Sequence, residues 1–207
     1  MAKSKIIKDL ILNTINEEVA INRLLLIGLE VEDDEITKWA ESELMGYKVD
    51  QNLPNYRKFH LGVFKYSGIN GDFTIPRASL QSDVFENTLL NSISKKCVIM
   101  DGVKSIKRII ESETGSMNLD LSDLIGYVRE KSGIQCTSLY MQFPLSVFEN
   151  ALSGMKNSLI KALVKLEQSF GNLDEFDIKF DAIKPETIKN TIDEVTRILY
   201  ADDGSSF

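Results

Sequence analysis

The chain has 207 residues, 43% hydrophobic and 27% charged, with 31 Asp and Glu against 24 Lys and Arg. That is enough apolar material for an ordinary globular core and too much for a disordered chain, so one domain, or one with a helical appendage, is expected. The net charge of −7 argues against broad non-specific binding to DNA or RNA, because such binding draws its affinity from cations that displace counterions.

Cys97 and Cys136 each lie in an apolar, strand-like run. That is the pattern of buried thiols in a reducing compartment, and a disulfide between them is a matter of geometry. The opening MAKSKIIKDLILNTINEE puts basic residues before an apolar patch, but Asp9 and Asn13 interrupt it well short of a signal-peptide core. No run of about twenty apolar residues is present to span a membrane. A cytoplasmic protein with no membrane partner is the expectation.

In chain order, residues 4–31 read as helix in two pieces broken near Asn13 and Asn16, with Ala20, Leu24, Ile27 and Val31 in one stripe that Ile21, Leu25 and Leu29 widen. The acidic group Glu32, Asp33, Asp34, Glu35 ends one helix and starts the next, where Asp33 or Asp34 can cap and negative charge suits the new amino end. Solvated acids in a turn are the plain reading and a metal site the sharper one. From Glu35, residues Ile36, Trp39, Ala40, Leu44 and Tyr47 share one face of a helix. Gly46 and Tyr47 close it, and Asn52, Pro54 and Asn55 make the connector turn-prone. Glu43 and Arg57 flank this turn with opposite charge, so they can pair to fix the helix against the first strand, or hold a ligand. Trp39 and Tyr47 can stack on a nucleotide, but their helical spacing makes core packing the more economical account.

The run Trp39, Glu43, Leu44, Gly46, Tyr47 followed by Leu53, Pro54, Tyr56, Arg57 resembles the hallmark of the AbiTii domain, a family associated with bacterial abortive-infection and other phage-defence loci. The helix around Leu24, Leu25 and Leu26 resembles the family's opening helix, and Phe143 to Leu166 resembles its later strand end and long helix. The resemblance implies a role in defence and an AbiTii-like domain over residues 1–170. Residues 171–207 then form an acidic linker and a C-terminal amphipathic helix packed on the same domain. Trp39, Glu43, Tyr47, Tyr56 and Arg57 are the candidate binding residues. No catalytic residue, metal or cofactor is expected.

Residues 57–66 alternate as a strand, with Phe59, Leu61 and Val63 on one side and Phe64 and Tyr66 as aromatic strand formers. Residues 67–72 read as a turn-rich loop and Phe73 to Ile75 as the returning strand of a hairpin. Gln81 to Ile93 reads as a helix and Cys97 to Met100 as a buried strand. Gly102 to Glu111 reads as a helix with Val103, Ile106 and Ile110 inward and Lys104, Lys107 and Arg108 outward. That basic trio lacks the interleaved aromatics that stack on bases and is a solvated face.

Residues 113–116 read as a loop, and Asp120 or Ser122 can cap a helix to about Lys131 that ends at Ser132 and Gly133. Ile134 to Phe143 reads as a strand that Pro144 stops. The longest helix follows, Ser146 to Ser169, with Phe148, Leu152, Met155, Leu159, Leu163, Leu166 and Phe170 in a stripe that serves the core or a partner helix. In the acidic stretch after Gly171, the trio Glu175, Asp177, Lys179 faintly resembles the carboxylate and lysine set of metal-dependent nucleases. Pro185 opens a last amphipathic helix carrying Ile188, Ile192, Val195 and Leu199, and residues 201–207 are a frayed tail.

The expected architecture is α+β and mainly helical, with a β-hairpin or small mixed sheet in the middle and long amphipathic helices at both ends. The only histidine, His60, has no serine or cysteine motif attached, so histidine-based catalysis is not expected. The functional expectation is a non-enzymatic sensor, adaptor or protein-interaction module of a phage-defence system. Its partner would be a defence-system neighbour or a phage or host factor, and a homo-oligomer is open. The alternative is a toxic effector acting on nucleic acid through a carboxylate-bound metal.

Overall fold

The structure, a computed structural model, describes residues 3–59, 62–85, 97–112, 115–174, 178 and 180–200. The fold is α+β and mainly helical. The described helices are α1 Lys5–Ile11, α2 Glu17–Glu30, α3 Asp34–Met45, α4 Val103–Glu111, α5 Ile125–Ser132, α6 Ser146–Phe170 and α7 Pro185–Tyr200. The described strands are β1 Lys58–Phe59, β2 Val63–Asn70, β3 Phe73–Ser79, β4 Cys97–Val98, β5 Ser116–Asp120 and β6 Gln135–Pro144. The chain divides into two compact units, Met1–Arg57 with Met100–Lys107 and Asn150–Phe207, and Lys58–Ile99 with Arg108–Glu149.

The first unit is helical, and local chemistry sets its breaks. Asn13 takes a left-handed φ of 57°, and the Asn16 side chain caps α2 by accepting from the Glu18 amide at 3.3 Å. Asp33 caps α3, accepting from the Ile36 amide at 2.8 Å, which accounts for one acid of the run at 32–35. Among the described residues no group of three or more His, Cys, Asp and Glu is placed to hold a metal ion.

The core of this unit joins Leu24 and Ile27 of α2, Trp39 of α3, Val103 of α4, Met155, Leu159, Leu163 and Leu166 of α6, and Val195 and Leu199 of α7. The α6 stripe is thus spent on the chain's own core, where each fully buried Leu contributes about 1.5–3 kcal/mol. Lys107 departs from expectation. Instead of facing solvent, its ammonium meets the Glu17 carboxylate at 2.5 Å and donates to Asn16, because the first turn of α2 presents an acid where that lysine emerges.

The second unit holds the sheets. One is four-stranded in the order β3-β2-β6-β5, and β1 and β4 form a separate pair. All these pairings are antiparallel, so the sheet is not mixed. The hairpin is tighter than the sequence suggests, since β2 runs on through the expected loop to Asn70, which pairs with Phe73. Gly71 at φ 61° supplies the positive first turn angle that a two-residue connection of this kind requires.

The expected single strand at 57–66 is divided between β1 and β2, which join different sheets. Of the two sides of β2, the one carrying Phe64 and Tyr66 is buried, whereas Val63 is 44% exposed. Strand β5 was not expected at all. Of the helix expected at 81–93, Ser82–Phe85 is a short 3-10 turn and 86–93 lie outside the described residues. His60, Glu175, Asp177, Lys179 and the tail 201–207 lie outside them too. Cys97 and Cys136 are not joined in a disulfide. No helix among the described residues is long and apolar enough to cross a membrane.

Candidate functional site

The exit of α3 gathers all five residues singled out in the sequence, and it lies wholly within the first unit. Glu43 lies in the last turn of α3, and Tyr47, expected on the same helical face, instead falls just past the end of the helix at Met45. Gly46, at φ 102°, turns the chain out of the helix. Pro54 then leads into a 3-10 turn, Asn55–Arg57, which brings Tyr56 and Arg57 back against α3.

The carboxylate of Glu43 is the hub. Its Oε1 accepts from the hydroxyls of Tyr47 at 2.7 Å and Tyr56 at 2.8 Å. Its Oε2 receives the Arg57 guanidinium. Arg57 also donates from Nη1 to the Asp101 carbonyl at 2.5 Å, and its guanidinium carbon stands 5.1 Å from the centre of the Tyr47 ring. The Trp39 indole donates from Nε1 to the Tyr56 hydroxyl at 3.0 Å. Trp39 and Glu43 are fully buried, Arg57 is 1% exposed and Tyr47 7%. Tyr56 is half-buried.

Burial sets the electrostatics. It pushes the Tyr47 and Tyr56 hydroxyls well above the ordinary tyrosine value, and the facing Glu43 carboxylate pushes them further. Both therefore stay protonated and donate. For Arg57, burial works to lower the pKa, but the Glu43 carboxylate outweighs it and the net direction is upward. The arrangement is a closed donor and acceptor circuit around one acid, in which a buried cation is matched by a buried anion. It can fix the geometry of the α3 exit, and both tyrosine protons are committed to Glu43.

Two features of the site went unread in the sequence. The segment Met100–Gly102 docks on the α3 exit: the Tyr47 amide donates to the Met100 carbonyl at 2.7 Å, and a Cβ on Gly102 would lie 2.5 Å from the Leu44 carbonyl oxygen. The Asp101-Gly102 dipeptide between a short apolar run and a helix was the available signal. Gly154, in the middle of α6, is the seat of Tyr56, since a Cβ there would lie 2.4 Å from the tyrosine Cβ. A glycine interrupting an otherwise regular helical stripe is the mark of such a close approach. The two thiols are poor nucleophile candidates, since burial raises the pKa of both Cys97 and Cys136.

The AbiTii family model matches the chain over residues 4–192. The match takes in the whole α3 exit and runs into α7. No curated protein and no solved structure matches the chain.

Proposed function

Because this chain belongs to the AbiTii family, we propose that it works in the bacterial cytoplasm as a component of abortive-infection defence against phage. In this reading it is a non-enzymatic sensor or adaptor that binds a protein partner, either the product of a neighbouring defence gene or a phage or host factor. The observation that supports the reading is how the family hallmark is used. Its acid, its cation and its tyrosines are turned on one another in the interior. A group held this way shapes a surface by fixing the backbone beneath it, as supporting residues do under a binding site. Trp39, Glu43, Tyr47, Tyr56 and Arg57 would then serve partner binding by holding the exit of α3 and the docked segment Met100–Gly102 in place.

Expression of the chain alone in bacteria tests this against the effector alternative. An adaptor leaves growth unchanged and is indifferent to Asp177→Ala. Growth arrest that depends on a divalent metal and disappears with Asp177→Ala would overturn the adaptor reading.

A further inference from the structure

At the exit of α3 two apolar side chains stay out of the core. Met45, the last residue of α3, is 84% exposed, and Val49 is 85% exposed; they are the two most exposed large apolar side chains among the described residues. A single exposed apolar residue is ordinary on a protein surface. These two stand four residues apart on backbone that is held from below.

Hydrogen bonds do the holding. The Gly46 amide donates to the Ser42 carbonyl at 2.8 Å, and the Tyr47 amide to the Met100 carbonyl at 2.7 Å. Residues 48–51 then form a turn in which the Gln51 amide donates to the Lys48 carbonyl at 3.1 Å. Gln51 Oε1 accepts from the Lys48 amide at 2.7 Å and from the Ser42 hydroxyl at 3.3 Å. The turn is thereby tied back to α3, with Val49 and Asp50 at its tip. Turn tips favour Gly, Pro, Asn, Asp and Ser, each for a backbone reason, and a β-branched apolar side chain supplies none of them. Neither Met45 nor Val49 is packed into the fold, and their backbone is ordered before any partner arrives, which lowers the cost of binding.

Charge decides what fits there. The two segments that meet at this exit, residues 41–52 and 100–102, expose three acids, Glu41, Asp50 and Asp101, against one cation, Lys48. None of these four is in an ion pair among the described residues. Glu43 is matched internally by Arg57, and the carbonyl end of α3 adds partial negative charge. An acidic rim repels the phosphates of a nucleic acid and, at a net charge of −7, the same rim on a second copy. It complements a basic protein surface.

We propose, resting on the adaptor reading, that Met45 and Val49 are the contact residues through which this chain engages its partner, and that the partner is a protein with an apolar cleft rimmed by lysine or arginine. The buried Glu43 network then has a surface to support: it fixes the backbone from which the two side chains project. Methionine is enriched in the cores of protein interfaces, and a few such anchors carry most of the binding energy. Glu41, Asp50 and Asp101 form the polar rim and meet the partner's cations.

The test is plaquing efficiency in bacteria expressing the chain with its neighbouring genes, with the Tm of each purified variant measured beside it. Met45→Asp with Val49→Asp, and separately Glu41→Lys with Asp50→Lys, are each expected to lose at least about tenfold of the protection at unchanged Tm, because the altered side chains are exposed. Leu12→Asp, at a side chain 68% exposed outside this exit, is expected to keep it. Should the aspartates lower Tm, Met45→Gln with Val49→Thr repeats the test with polar side chains of similar size. Full protection by either folded double variant overturns the proposal and leaves the adaptor reading standing. No protection by the unmodified chain with its neighbours overturns the adaptor reading, and the proposal with it. In sedimentation, a dimer of the purified chain that Met45→Asp abolishes would give the surface to a second copy and overturn the proposal as well.

Discussion

Replacing Glu43 by Leu removes the hub of the α3 exit while nearly preserving volume, so the cost comes from the groups left behind rather than from a cavity. Arg57, 1% exposed, keeps the Asp101 carbonyl but loses its counter-ion, and breaking one side of a buried ion pair costs about 3–5 kcal/mol. The Tyr47 and Tyr56 hydroxyls lose their shared acceptor at about 1–3 kcal/mol each if nothing replaces it, an addition that overlaps the first because one carboxylate serves all three. A loss of at least about 3–5 kcal/mol is expected, a large share of the about 5–15 kcal/mol of an ordinary domain. Glu43→Leu with Arg57→Met removes both charges, so the double variant is expected to be more stable than the sum of the single effects implies, by at least about 1–3 kcal/mol of coupling. Urea unfolding followed by tryptophan fluorescence reads this directly, because the chain has one tryptophan and its indole is bonded into the same network. A loss below about 1 kcal/mol for Glu43→Leu with an unchanged m-value, or strictly additive single variants, would mean that the carboxylate is not the hub of this exit.

Other perturbations probe the same frame. Trp39→Ala empties a fully buried site and is expected to cost about 3–5 kcal/mol in chemical denaturation. Gly154→Ala gains about 1 kcal/mol of helix propensity but drives a Cβ into Tyr56 at 2.4 Å, and overpacking, at about 1–3 kcal/mol, outweighs that gain. Its Tm should therefore fall, and a rise would mean that Tyr56 yields easily. Gly68→Ala places a Cβ 2.2 Å from the Gln135 carbonyl oxygen and should disrupt the β2–β6 register, read as lost amide protection in β6. Burial works to raise the pKa of Glu167, but hydrogen bonds from Lys3 and Ser4 outweigh it and hold the carboxyl down to about 2. A carboxylate depressed in the folded state stabilises fully above its ordinary value of 4.5 and loses that contribution as pH falls toward 2. Tm should decline over that interval with a slope that Glu167→Gln reduces.

Much of the first unit was legible because its signals are local. Periods of three and four residues mark α2, α3, α6 and α7, and Asn16 and Asp33 sit where caps belong. Glu43 and Arg57 were legible as a pair because they flank one short turn with opposite charge, whereas the hydroxyl of Tyr47 reaches Glu43 from beyond the end of the helix. The losses came where a long-range contact decides. Lys107 looks outward on its own helix, and only the arrival of Glu17 turns it into an ion pair. Val63 and Phe64 are both good strand residues, so the alternation alone did not choose which faces in. Strand β5 has no β-branched residue and is exposed along most of its length, so it carries almost no strand signal until β6 lies beside it. Gly154 reads as a weak point in a helix until Tyr56 is placed over it.

The adaptor role is tested most directly by plaquing efficiency and host survival in bacteria expressing this chain with its neighbouring genes and alone. An adaptor gives reduced plaquing with the neighbours, no protection and no growth defect from the chain alone, and loss of protection with Glu43→Leu. Protection by the chain alone, accompanied by host arrest that Asp177→Ala abolishes, would contradict that role and place the activity within these 207 residues.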